Sequence, residues 1–195
     1  MTAAGCRAAL ESCEVNHRAT VLDQAYPQCA CEEWSLCEGG GLPVGDEEKI
    51  ARILTSPDGY DENAFTIATQ KLTALYSMGL SVVRQGASDE EILSTIDDLL
   101  SGGEEERKLV GAIVVEASEL RSYADPSRWL GVYATDDRGK AHHVDVFGTI
   151  PAGGSSARDR VKKQRRYKLA EDLVPKIVFA NDNADLIARL RAEGI

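Results

Sequence analysis

A chain of 195 residues with 43% apolar side chains is long enough to bury one core and too apolar to stay disordered. Its net charge of −10 argues against general affinity of the whole surface for nucleic acid or membranes. No run approaches the roughly 18 apolar residues of a membrane span, and the N-terminus has no basic region followed by an apolar core, so a cytosolic protein is expected.

Residues 1–45 read as a cysteine-bearing N-terminal extension. Residues 1–18 mix Ala, Leu and Glu as a short helix, and Ala19–Tyr26 is a short apolar piece ended by Pro27. Gln28–Gly45, with three successive glycines and Pro43, reads as a loop and linker. The main domain, residues 46–195, then opens with Asp46 as N-cap of a short helix burying Ile50, Ile53 and Leu54. Ser56-Pro57-Asp58-Gly59 is a turn, and Phe65, Ala68, Leu72, Leu75 and Tyr76 recur at a spacing that predicts a helix over 64–77. Leu80–Arg84 is a short β-like run. Ser88-Asp89-Glu90-Glu91 has the form of a capping box, followed by the apolar stripe Ile92, Leu93, Ile96, Leu99 and Leu100 up to Gly102-Gly103.

The stretch 109–151 is the densest in β-branched and apolar residues. Ala112–Glu116 has the pattern of a strand buried on both faces. Trp129–Thr135 and Ala141–Ile150 flank Asp136-Asp137-Arg138-Gly139, whose composition favours a tight turn and so predicts a hairpin. A flexible link at 152–156 leads to a helix over about 157–173; Lys176–Ala180 is a candidate last strand, and Asn181 or Asn183 caps a last helix with Leu186, Ile187 and Leu190 on its apolar face. With no steady βαβα alternation and no phosphate-loop or dinucleotide glycine pattern, the order of elements predicts an α+β fold: a central antiparallel hairpin or small sheet covered by several helices.

Three groups of residues are candidates for function. Period-two alternation puts His142, Val144 and Val146 on one face of the second hairpin strand and His143, Asp145 and Phe147 on the other. His143 could then be a base oriented by Asp145, or the two could be a solvated pair on an exposed face, while His142 reads as the core histidine. The five cysteines, in a reducing compartment, are expected to be free or metal-bound rather than paired. Cys13 or His17 with Cys29, Cys31 and Cys37 could hold a zinc ion, although the spacing matches no standard zinc pattern; adventitious thiols and redox or iron–sulfur use are the alternatives.

The third group is the run Arg158, Arg160, Lys162, Lys163, Arg165, Arg166 and Lys168, opposed only by Asp159 and so +6 locally. Charge is uneven along the chain, with −9 over residues 46–107 and +4 over 151–195. The basic helix therefore docks either on the acidic helix 89–106 or on an external anion, and Lys162, Lys163, Arg165 and Arg166 lie outside its apolar stripe. No catalytic motif is recognisable. The leading expectation is a non-enzymatic binding or regulatory protein engaging an acidic protein or nucleic acid through this helix. The rivals are a small enzyme with His143 as acid/base and a metal-stabilised module.

Overall fold

The computed structural model describes residues 2–38, 41–102, 106–135 and 140–195, and it has an α+β fold. Among the described residues the strands are β1 (Lys49–Ser56), β2 (Tyr60–Asp61), β3 (Thr66–Ile67), β4 (Leu80–Arg84), β5 (Lys108–Glu116), β6 (Leu130–Ala134), β7 (His143–Gly148) and β8 (Ile177–Phe179). The α-helices among these residues are α1 (Ala3–Glu11), α2 (Arg18–Ala25), α3 (Asp89–Ser101), α4 (Ala117–Arg121), α5 (Ser155–Leu173) and α6 (Asn183–Glu193). Six strands form one antiparallel sheet in the order β6-β7-β4-β1-β5-β8, and β2 pairs with β3 in a separate small hairpin.

The expected hairpin exists, since β6 pairs with β7, but it lies at one side of the sheet with β6 as the edge strand. The centre belongs to β1, in the segment where the sequence spacing had predicted a short helix. The error has a physical cause. Ala51 and Ile53 bury one face of β1 while Ile50 and Leu54 bury the other, so apolar residues follow each other closely, and periodicity does not separate such a strand from a buried helix. Residues 64–77 also depart from expectation. They hold β3 and then a 3₁₀ helix over Lys71–Tyr76 that buries Leu72, Leu75 and Tyr76. The 3₁₀ spacing of three, rather than the α-helical repeat, brings Leu72 and Leu75 together. The capping box at Ser88 and Glu91 forms as the sequence implied, whereas the cap of α6 is Asp182, between the two asparagines considered for it.

Both faces of the sheet are covered. On one, Ile50, Leu54, Val82, Ile113, Val115, Val132, Val144 and Val146 pack against Leu169, Ala170 and Leu173 of α5, Leu120 of α4 and the 3₁₀ leucines. On the other, Ala51, Ile53, Val83, Ala112 and Val114 meet Ile92 and Ile96 of α3 and Leu186 and Leu190 of α6. The remaining part of that second face, with Tyr133 and Phe147, is covered by Cys6, Leu10, Ala19, Leu22 and Leu36 of the N-terminal segment. At the far side β8 comes very close to β5. A Cβ on Gly111, which has φ near +151°, would lie 2.1 Å from the Val178 carbonyl oxygen, so only glycine is accommodated there.

The N-terminal segment is fastened by one buried carboxylate. Glu32 accepts from Arg121 Nε at 2.5 Å, from Arg128 Nη2, and from the backbone N–H of Val132 at 2.9 Å. Arg121 also donates to Asp46 Oδ1 and the Val44 carbonyl. Removing one partner of a buried ion pair leaves the other desolvated and uncompensated. Glu32→Ala is therefore expected to destabilise the protein by about 3 kcal/mol, whereas Glu33→Ala, at the exposed neighbouring position, should change it by less than about 0.5 kcal/mol. Urea unfolding of the two variants compares them directly.

Candidate functional site

The strand pair β6/β7 carries the first candidate group. The expected roles of the two histidines are exchanged. His142 precedes β7, stays partly exposed and pairs with Glu91 of α3 at 2.8 Å, whereas His143 is buried together with Asp145. The second sheet face is not a solvated surface, because the N-terminal segment and α3 cover it. Burial demands partners, and the register supplies them: Thr135 lies opposite His143, and Ser81 opposite Asp145. Ser81 Oγ is 2.5 Å from His143 Nε2, Thr135 Oγ1 is 2.9 Å from Nδ1, and Thr135 Oγ1 donates to Asp145 Oδ2 at 3.1 Å.

With an ionised Asp145 and a neutral His143 the bond directions follow, since a carboxylate can only accept and a neutral imidazole has one donor and one acceptor nitrogen. The Thr135 hydroxyl gives its proton to Asp145, so its oxygen accepts from Nδ1–H of His143. Nε2 is then left as the acceptor for the Ser81 hydroxyl. A serine hydroxyl directed at an imidazole lone pair, with the imidazole oriented by a third group, is the arrangement that activates an oxygen nucleophile. Ser81 is the partly accessible member, while His143, Thr135 and Asp145 are buried. Ser81 and Thr135 were missed in the sequence because their pairing with His143 depends on strand register. The intervening turn, 136–139, lies outside the described residues.

The basic helix is the second group, and its seven cations have unequal surroundings. Arg165 is buried with its guanidinium 5.1 Å from the centroid of the Trp129 ring, and it donates to the carbonyls of Asp125 at 3.0 Å and Thr149 at 3.4 Å. Arg166 donates to the Thr69 carbonyl at 3.5 Å, Lys162 sits over the Tyr76 ring, and Lys168 pairs with Asp172 at 3.0 Å. Arg165 is thus part of the packing, contrary to its expected place outside the buried stripe, because its planar cation can stack on an aromatic face while its stem is buried. Arg158, Arg160 and Lys163 are exposed and have no carboxylate partner among the described residues. Docking on the acidic helix does not occur among the described residues. The two helices cover opposite faces of the sheet, and α3 pairs Asp89 with Arg191 and Asp98 with Lys140.

The cysteines form the third group. Cys6 and Cys31 are joined by a disulfide, which corrects the expectation of five unpaired cysteines and removes Cys31 from any thiolate site. Cys13 donates to the Leu10 carbonyl just beyond α1, and His17 lies in a separate 3₁₀ turn, exposed and 3.9 Å from Glu14. Burial pushes the Cys29 thiol up to about 11, which keeps it protonated at neutral pH. Among the described residues, no three or more His, Cys, Asp and Glu side chains are grouped to hold a metal ion. No described helix is long and apolar enough to cross a membrane.

No family model, curated protein or solved structure matches this chain.

The cysteine arrangement has a countable consequence. Unfolded protein without reductant should show three titratable thiols, from Cys13, Cys29 and Cys37. After reduction it should show five, and native protein so treated should lose about 3 kcal/mol through loss of the cross-link. Five thiols before reduction would show that Cys6 and Cys31 are not paired.

Proposed function

We propose that this is a binding protein that engages a nucleic acid backbone through the exposed N-terminal half of α5. The observation that carries this reading is the contrast along α5. Its C-terminal half is packed into the core, while residues 155–160 are exposed and carry Arg158 and Arg160 without acidic partners among the described residues. Most of the other cations near the surface of the domain are held in ion pairs, as with Lys49, Lys71, Arg84, Lys140, Lys176 and Arg191. The chain outside 158–168 carries a net −16, since the whole is −10 and this segment is +6, so attraction to phosphate has to come from this helix.

Arg158, Arg160, Lys162 and Lys163 are the four residues proposed to contact phosphate. With about four phosphates neutralised, the logarithm of the binding constant should fall against the logarithm of salt concentration with a slope near −3.6. Replacing these four with Gln should flatten that slope towards zero and change stability by less than about 1 kcal/mol. Arg165→Gln should instead cost about 2 kcal/mol of stability, through the lost stack on Trp129 and unpaired carbonyls. Fluorescence anisotropy on duplex DNA and RNA across a salt series is the measurement. Salt-dependent binding only to an acidic polypeptide would move the proposal to a protein partner, and a slope unchanged in the fourfold variant would remove α5 from it.

A second reading rests on a separate observation, the 2.5 Å contact between Ser81 Oγ and His143 Nε2. In it the protein is a small enzyme with His143 as general base and Ser81 as nucleophile. A fluorophosphonate probe should then label Ser81 and fail to label the Thr135→Val variant. Absence of labelling, under conditions that label an active serine hydrolase, would sink this reading.

A further inference from the structure

Between β1 and the helical layer of α5 lies a cavity of about 40 Å³ whose walls are apolar apart from Arg52 and, at one end, Lys71. Val82 and Ile113 of the sheet and Leu72, Leu75 and Leu169 of the cover form most of the wall that matters here. Lys71 is half-exposed and ion-paired with Asp58 at 3.0 Å, so that end lies nearest to solvent.

Arg52 is out of character with this wall. Among the described residues its one hydrogen bond runs from Nη1 to the Ser81 carbonyl at 2.5 Å, and no carboxylate of those residues lies within ion-pair distance of it. A guanidinium carries five N–H donors, so most of its capacity is unused. Protein surrounds it deeply enough that desolvation pulls it down from its ordinary value to about 10, with Asp145 opposing that shift, yet the side chain retains some accessible surface. The two facts agree if that surface faces the cavity. A cation against an apolar wall is costly unless an anion meets it.

We propose that this cavity binds a short-chain aliphatic monocarboxylate, with the carboxylate on the Arg52 guanidinium and the alkyl chain against Leu72, Leu75 and Leu169. A planar guanidinium matches a carboxylate with two parallel hydrogen bonds, each strengthened by charge. The volume sets the length. A space of about 40 Å³ corresponds to roughly three waters, which admits a head group and a few carbons but no long fatty chain. The lining sets the charge count. A second carboxylate would be pressed against leucines or would have to compete with Asp58 for Lys71, and an uncharged isostere would leave the guanidinium unmet.

The test is a titration of the full-length protein with butyrate, followed by methyl and backbone NMR shifts and by calorimetry. Binding should saturate with a dissociation constant of roughly millimolar or below, with shifts centred on Leu72, Leu75 and Leu169. On the same wild-type protein butyramide and succinate should each bind at least about tenfold more weakly, a comparison that requires no variant to fold. Arg52→Met should lose at least about tenfold in affinity. The proposal is overturned by non-saturating shifts in the wild type, by butyramide or succinate binding as well as butyrate, or by a folded Arg52→Met variant that binds unchanged.

Discussion

Strand β1 lies between two antiparallel neighbours and carries apolar side chains to both faces, so neither face of the sheet can be left to water. Three separate covers meet that demand: α5 with α4 and the 3₁₀ turn on one face, α3 with α6 on half of the other, and the N-terminal segment on the rest. The last cover is short and has no long amphipathic helix to bury. It is fixed instead by the Glu32 carboxylate, by backbone bonds such as Leu36 N–H to the Ala134 carbonyl, and by the Cys6–Cys31 cross-link within it. A disulfide is a feature of oxidising compartments, so the cysteine content no longer argues for the cytosol.

Burying both faces also places charged and polar groups inside, and their degrees of satisfaction differ in an informative way. Glu32 is met by two guanidinium groups and a backbone N–H. Both ring nitrogens of His143 have hydroxyl partners, and the chain from Ser81 through Thr135 to Asp145 can be given one consistent set of proton positions. Arg52 stands apart, with a single carbonyl acceptor among the described residues and an apolar cavity beside it. Satisfied networks stabilise and specify a structure by themselves. An under-satisfied cation next to open space is the more direct indication of a ligand.

Helix α5 joins two physical regimes. From Arg165 onward one side of it belongs to the core, and even its arginine is accommodated there by the Trp129 ring and backbone carbonyls. Before Arg165 it is a polar helix whose cations meet water, in a protein otherwise rich in acid. Packing of one half holds the other in a helical conformation, which spaces its charges along a defined line without requiring them for stability.

The sequence alone determined those features that arise within a few residues of one another. The capping box at Ser88 and Glu91, the β6/β7 hairpin, the short strands at 80–84 and 177–179 and the helix ending at Leu173 depend on local hydrogen bonding, local periodicity or local charge, all visible in the order of residues. The α+β class follows from their succession. What the sequence could not determine depends on contacts between distant segments. The strand nature of 49–56 is decided by burial on two sides, since apolar residues at 50, 51, 53 and 54 fit a buried helix equally well until β4 and β5 are placed beside them. Ser81 and Thr135 reach His143 only through strand register, and Cys6 reaches Cys31 only because α1 folds back over the loop that follows α2. Arg52 is an ordinary basic residue in the linear chain. Its desolvation is produced by the sheet, α5 and the 3₁₀ turn closing around it, because desolvation is a property of the enclosing volume and not of the residue.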